Sequence, residues 1–117
     1  MGKVDFQIDA TEFLKSLNQY DEHVKNGLKD AVKQCAFAIE RDAKKNCPVD
    51  TGRLRASITT DTTKIDDYEA TVGTNIEYAT HVEYGTRKQS AKPYLRPAYN
   101  KNIEKLYTKV QKVLGGN

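Results

Sequence analysis

Few side chains in this sequence are suited to catalysis or metal binding. Its two histidines are His23 and His81, and its two cysteines are Cys35 and Cys47. A zinc site made from both cysteines and His81 would still need a fourth ligand, and the spacing matches no usual zinc motif. If both cysteines lie on one helix, about 18 Å of helical rise separates them, which is too far for a disulfide. The sequence therefore predicts free thiols and no metal site.

Acid–base and nucleophilic catalysis find little more support. The candidates for proton transfer are Glu77, Glu83, His81 and Tyr84. None of them forms a recognisable pair of nucleophile and base. Ser57 lies in a strand pattern without a nucleophile elbow, and the glycines form neither a P-loop nor a dinucleotide fingerprint. We therefore predict a protein that is not an enzyme and that uses no cofactor.

Formal charge is strongly partitioned along the chain. The net charge of +3 divides into +1 for residues 1–57 (ten basic, nine acidic), −5 for residues 58–84 (one basic, six acidic) and +7 for residues 85–117 (eight basic, one acidic). The basic region could bind a phosphate backbone, or it could contact the acidic middle of the same or an adjacent subunit. A solvated helix face without a partner is the third interpretation.

A nucleic-acid patch is the main alternative function for this basic region. Four basic residues lie near two tyrosines, namely Arg87, Lys88, Lys92 and Arg96 with Tyr84 and Tyr94. Basic and aromatic side chains together suit sequence-independent nucleic-acid binding. The region carries no recognised binding motif, however, and a pI of 8.8 is modest for that role.

The length of 117 residues is typical of one domain, with a core at about residues 4–114. The chain has seven tyrosines and no tryptophan. Because tyrosine is enriched in the buried parts of interfaces, the core could be completed against a neighbour. No apolar run reaches the roughly 18 residues that a membrane-spanning helix needs, and no signal peptide is evident. A soluble protein made in the cytoplasm is expected.

Hydrophobic periodicity predicts an α+β fold in which two long helices pack on a small, mainly antiparallel sheet, with short extra helices. Apolar residues alternate with polar ones over residues 4–8, which predicts a strand. A short helix is expected next, with Asp9 or Thr11 as its cap and an apolar face of Phe13, Leu14 and Leu17. The first long helix is predicted for residues 21–46, where one apolar stripe consists of Val24, Leu28, Val32, Cys35, Ile39 and Ala43.

The second half of the chain has equally clear patterns. Residues 54–60 and 68–72 both alternate and predict an antiparallel hairpin. A short helix is predicted within residues 76–84, and it should stop at Gly85. Residues 85–93 are predicted to form a mobile loop. The second long helix is predicted for residues 97–114, with an apolar stripe of Tyr99, Ile103, Leu106, Val110 and Val113.

The segment between the first long helix and the hairpin is predicted to be a structural joint. Pro48 disfavours helical backbone in the residue before it and should end the helix. Asp50, Thr51 and Gly52 suit a tight turn, since glycine accepts a positive φ.

Three motifs in order resemble one family. They are PVDTGRLRASI at residues 48–58, YA at 78–79 with VEYGT at 82–86, and KPYLRPA at 92–98. After a long basic amphipathic helix, they resemble the tail-completion or head–tail connector proteins of long-tailed phages, the minor tail proteins similar to protein Z of phage lambda. The resemblance covers about residues 10–115.

This resemblance implies a structural virion protein of a phage or prophage that acts in head–tail joining or tail completion, as a ring subunit at the neck. Its partners would be other copies of itself, the head-connector and the tail-tube or terminator proteins, with non-specific DNA contact in the channel possible and no membrane partner. It would be located at the head–tail junction of the virion, and in the host cytoplasm during assembly.

Three sets of residues become candidates. The resemblance implies the joint and, by position, six members of the interface, and the remaining members of the interface come from the basic patch; the six are Tyr84, Gly85, Thr86, Pro93, Leu95 and Pro97. The structural joint is Pro48, Asp50, Thr51, Gly52 and Leu54. The assembly interface is Tyr84, Gly85, Thr86, Arg87, Lys88, Lys92, Pro93, Tyr94, Leu95, Arg96 and Pro97. The acidic counter-surface, chosen by charge, is Asp61, Asp66, Asp67, Glu69, Glu77 and Glu83.

Overall fold

The computed structural model describes residues 4–9, 22–48 and 52–115. The elements within these ranges are strand β1 (Val4–Asp9), helix α1 (Glu22–Asn46), helix α2 (Gly52–Ser57), strand β2 (Thr59–Asp61), strand β3 (Glu69–Thr74), helix α3 (Ala79–Tyr84) and helix α4 (Leu95–Gly115), with one 3-10 turn at Ile65–Asp67. The predicted α+β class is confirmed. The short helix predicted around Phe13, Leu14 and Leu17 lies outside the described residues, as do Asp50 and Thr51 of the joint.

The described strands form one antiparallel sheet in the order β1–β3–β2. β1 pairs with β3 along its full length, and β2 pairs with residues 71–73 of β3, which confirms the predicted hairpin pairing. Ala70, Val72 and Thr74 of β3 are buried on the side where α1 packs. Glu69 and Thr71 alternate with them and are only half-buried. The sheet therefore has one covered face and one wet face.

The strand predicted for residues 54–60 is wrong over most of its length. Residues Gly52–Ser57 form α2 instead, and β2 comprises only three residues. Leu54 and Ile58 are both fully buried, and a spacing of four residues suits a helical turn as well as it suits a strand. The hydroxyl of Ser57 donates to Leu54 O at 2.6 Å, a local bond that satisfies the Ser57 side chain within the helical turn.

Helix α1 buries the stripe that the sequence predicts. Leu28, Val32, Cys35, Ile39 and Ala43 are all buried. Its single acidic first-turn residue and its two basic last-turn residues, Glu22 with Lys44 and Lys45, match the sign of the helix dipole at each end. The helix ends at Asn46, two residues before Pro48, as predicted.

Helix α4 packs against α1 in the antiparallel direction. A Cβ built on Gly27, near the start of α1, would lie 3.4 Å from Val113 Cγ1, near the end of α4. At the other end, Asn46 Nδ2 donates to Tyr94 O at 3.2 Å. Only part of the predicted apolar stripe of α4 lies in the core. Leu106 and Val110 are buried, whereas Tyr99, Ile103 and Val113 are half-buried and pack against the core.

A buried polar pair lies within the α1–α4 contact, one turn before the end of α1. Asn102 Nδ2 donates to Asp42 Oδ2 at 2.8 Å and to Ala98 O at 2.8 Å. Arg41 Nε donates to Asp42 Oδ1 at 3.1 Å. The hydrogen bond from Asn102, followed by that from Arg41, lowers the pKa of Asp42 to about 2. Asp42 is therefore ionised at neutral pH and fixes the register of the two helices.

Candidate assembly surfaces

The basic loop, residues 85–93, connects α3 to α4 and is fastened at both ends. Gly85 N donates to His81 O at 2.8 Å, which closes α3, and Lys92 N donates to Val82 O at 2.8 Å. Gly85 has φ +80, and a Cβ placed there would lie 2.8 Å from Ala91 N. Only glycine fits this backbone conformation without strain. The mobility predicted for residues 85–93 remains a prediction.

The carboxylate of Glu83 joins the two helices that flank the basic loop. Its Oε1 accepts the backbone N–H groups of Tyr94 at 3.1 Å and Leu95 at 2.9 Å, and its Oε2 accepts that of Arg96 at 3.0 Å. Tyr94 directly precedes α4, and the N–H groups of Leu95 and Arg96 belong to its first turn and have no partner within the helix. Glu83 is 3% exposed, so its assignment to an acidic counter-surface was wrong: it is an internal cap for α4.

Tyr94 and Leu95 are also internal residues, because both are fully buried. The hydroxyl of Tyr94 donates to Ala79 O at 3.4 Å. Burial, and then the neighbouring Glu83, raise the pKa of Tyr94. These two residues therefore hold the base of the basic loop and cannot themselves lie on the surface that meets a neighbour.

The rest of the predicted interface lies at or near the surface. Its exposed members are Tyr84, Thr86, Arg87, Lys88, Lys92, Pro93, Arg96 and Pro97, and Gly85 is half-buried. The guanidinium of Arg96 lies 5.3 Å from the centroid of the Tyr84 ring, a cation–π contact. Residues 85–96 include four basic side chains and no acidic one. This end of the molecule therefore presents concentrated positive charge.

The acidic hairpin, residues 59–70, carries most of the predicted counter-surface. Asp61, Asp66 and Asp67 are exposed and Glu69 is half-buried; with Lys64, the segment has a net charge of −3 (one basic, four acidic). Asp61 Oδ1 accepts both the backbone N–H and the hydroxyl of Thr63, at 2.8 and 2.7 Å. These two bonds lower the pKa of Asp61, which keeps it ionised.

The tip of the acidic hairpin lies far along α1 from the basic loop, whereas the base of the hairpin is nearer to it, since Thr60 Oγ1 donates to Glu40 Oε1 at 2.6 Å. Lys29, in the first third of α1, contacts Asp66 Oδ1 at 3.3 Å, whereas Asn46 at the end of α1 bonds to Tyr94. Asn46 lies 17 positions after Lys29, which corresponds to about 25 Å of helix, within a molecule that is 52 Å long. Glu77 is exposed, but it lies two residues before Ala79 at the basic end.

The joint packs by its apolar and backbone groups. Leu54 is fully buried, Pro48 is half-buried and Gly52 is exposed. Arg55 Nη2 donates to Cys47 O at 3.0 Å, which ties α2 to the end of α1. The described part of the joint therefore links α2 to the end of α1.

The catalytic and metal alternatives gain nothing from the structure. His81 is exposed, and Glu83 is committed to the start of α4. Across the part of the chain that the structure describes, no group of three His, Cys, Asp or Glu side chains could hold a metal ion. Cys35 and Cys47 are both buried, and neither is in a disulfide. No helix within residues 22–48 or 52–115 is long and apolar enough to cross a bilayer.

Comparison with known proteins identifies the family. A family model described as "Bacteriophage HK97-gp10, putative tail-component" matches residues 11–85, which is more than half of the chain. The chain therefore belongs to the HK97-gp10-like family of phage tail components. No curated protein and no solved structure matches the chain. The predicted class of phage tail or neck protein is thus confirmed at the level of the family.

Proposed function

We propose that this protein is a non-enzymatic structural component that acts in head–tail joining or tail completion, as a ring subunit at the phage neck. The observation that carries the proposal is the family match over residues 11–85. The motifs at residues 48–58, 78–86 and 92–98 extend the likeness towards tail-completion proteins similar to protein Z of phage lambda. Its location would then be the head–tail junction, after assembly in the host cytoplasm.

Two features of the subunit support a ring. A closed cyclic assembly uses two different surfaces of each subunit, because each copy meets one neighbour on each side. The basic loop and the acidic hairpin are such a pair, since they differ in charge and the hairpin tip at Asp66 contacts α1 about 25 Å from Asn46, which bonds to Tyr94 at the base of the loop. In the neck, the faces above and below the ring would meet the head-connector and the tail-tube or terminator proteins.

The decisive experiment is genetic. A phage in which the gene for this protein is disrupted should accumulate DNA-filled heads and unattached tails, visible by electron microscopy. Re-expression of the intact protein from a plasmid should restore plaques. Normal infectious virions made without the protein would refute the proposed function.

A nucleic-acid-binding role is the second candidate, and the four exposed basic side chains of residues 85–96 favour it. If all four contact phosphates of duplex DNA, log K should fall against log salt with a slope of about −3.6. Fluorescence anisotropy with a short duplex measures this slope. A slope near zero, or binding that survives loss of Arg87 and Lys88, would exclude DNA binding by this region.

A further inference from the structure

We infer that the basic loop of one copy docks on the acidic hairpin of the next copy, which makes this the contact that joins neighbours. The inference rests on the proposed function as far as the ring is concerned. It goes further, because it names the two surfaces and fixes the partner as a second copy of this chain.

The charges of the two surfaces are complementary and accessible. Arg87 and Lys88 are exposed at the outer part of the basic loop, and Asp66 and Asp67 are exposed in the turn of the acidic hairpin. The basic segment of residues 85–96 carries +4 and the acidic segment of residues 59–70 carries −3. Opposed patches of this kind steer encounter and set the register of a complex more than they set its affinity.

The tip of the acidic hairpin and the base of the basic loop lie far apart within one subunit. About 25 Å of α1 lies between Lys29, which contacts Asp66, and Asn46, which bonds to Tyr94, whereas interactions between exposed charges are screened over about 10 Å in moderate salt. Asp66 meets Lys29 of its own subunit at 3.3 Å, but its side chain is 91% exposed and is accessible to the loop of a second copy. Neighbouring copies satisfy both surfaces at once, in a head-to-tail arrangement.

The base of the basic loop keeps its exposed basic side chains in position. Glu83 binds the first backbone N–H groups of α4, and Lys92 N bonds to Val82 O, so that both ends of the loop are fixed to the folded core. Less conformational entropy is then lost on docking than a fully free segment would lose.

Paired charge reversals test the contact in purified protein. The first variant carries Arg87→Glu with Lys88→Glu, and the second carries Asp66→Lys with Asp67→Lys. The first change takes the charge of residues 85–96 from +4 to 0, and the second takes that of residues 59–70 from −3 to +1. Each variant alone loses the charge complementarity between its loop and its hairpin, so its self-association should weaken by about tenfold or more relative to wild type. An equimolar mixture of the two should associate again, because the unchanged basic loop of the hairpin variant fits the unchanged acidic hairpin of the loop variant, and the two reversed pairs of side chains are again opposite in sign.

The measurement is sedimentation velocity at low and high salt, with circular dichroism to verify folding of every variant. Lys33→Glu with Lys45→Glu is the matched control, because it makes the same charge change at exposed positions of α1. Where the double hairpin variant folds poorly, the pair Arg87→Glu and Asp66→Lys gives the same test. Zero-length carbodiimide cross-linking of isotope-mixed wild type should join Lys88 to Asp66 between copies.

Several outcomes would overturn the inference. They are a mixture that fails to associate, a loop variant that associates like wild type, and a wild type that stays monomeric at low salt and high concentration. Loss of DNA binding in the loop variant without recovery in the mixture would assign the loop to nucleic acid. Normal virions from the disrupted phage would refute the proposed function alone, since the mixing result does not depend on it.

Discussion

The Glu83 carboxylate should contribute strongly to the free energy of unfolding, because it accepts three backbone hydrogen bonds. Replacing it by alanine leaves three backbone N–H groups without their acceptor. Those of Tyr94 and Leu95 belong to buried residues, whereas Arg96 is exposed and can turn to water. At about 1–3 kcal/mol for each buried unsatisfied donor, Glu83→Ala should lower the free energy of unfolding by about 2–6 kcal/mol. A domain of this size has about 5–15 kcal/mol in total.

Glu83→Gln separates the acceptor function from the charge. The amide keeps one acceptor oxygen but directs an N–H₂ donor towards another donor, so a loss of about 1–3 kcal/mol is expected. Urea unfolding followed by circular dichroism measures both variants, and the m-value should stay unchanged. Glu77, six residues earlier and exposed, gives the control, and Glu77→Ala should stay within about 0.5 kcal/mol of wild type. If Glu83→Ala costs no more than Glu77→Ala, the capping argument is wrong.

Three further predictions concern single residues. Because the pKa of Asp42 is lowered to about 2, its ionised carboxylate stabilises the fold above about pH 4. About 2 kcal/mol of the free energy of unfolding is lost as the pH falls from 4 to 2. Acid titration of unfolding should show this loss in wild type and not in Asp42→Asn. Gly85→Ala should cost about 1–3 kcal/mol in urea unfolding, since its φ is +80 and the added Cβ meets Ala91 N. Burial raises the pKa of the Cys35 thiol to about 11, so iodoacetamide near pH 8 should alkylate it only after unfolding, as followed by mass spectrometry; rapid labelling of the native protein would contradict its burial.

Local patterns predicted the elements of this fold well. The stripe of α1 depends only on spacing along one helix, and its members from Leu28 to Ala43 are buried as expected. The segment after Pro48 shows the limit of the same reasoning. Leu54 and Ile58 fit a strand and a helical turn equally, and the helical turn that buries both residues prevails.

The parts that the sequence did not reveal depend on contacts between distant residues. Asn102 is polar and is not part of the predicted apolar stripe, although its spacing from Ala98 and Leu106 places it on the buried face of α4. There it meets Asp42, sixty positions earlier. Glu83 likewise has no feature in the sequence that distinguishes it from the other acidic residues, because its role depends on a hydrogen bond from Tyr94 in a later segment. A buried polar residue of this kind needs a hydrogen-bonding partner, and the periodicity of its own helix does not identify that partner.

The Asp42–Asn102 pair also gives the subunit a fixed length. Sliding α4 along α1 by one turn would move Asn102 by about 5.4 Å and remove its hydrogen bond to the Asp42 carboxylate, at a cost of about 1.5–3 kcal/mol. The register of the two helices therefore fixes the distance between the basic loop and the tip of the acidic hairpin. In a closed ring joined through these two surfaces, this distance would determine the circumference for a given number of subunits.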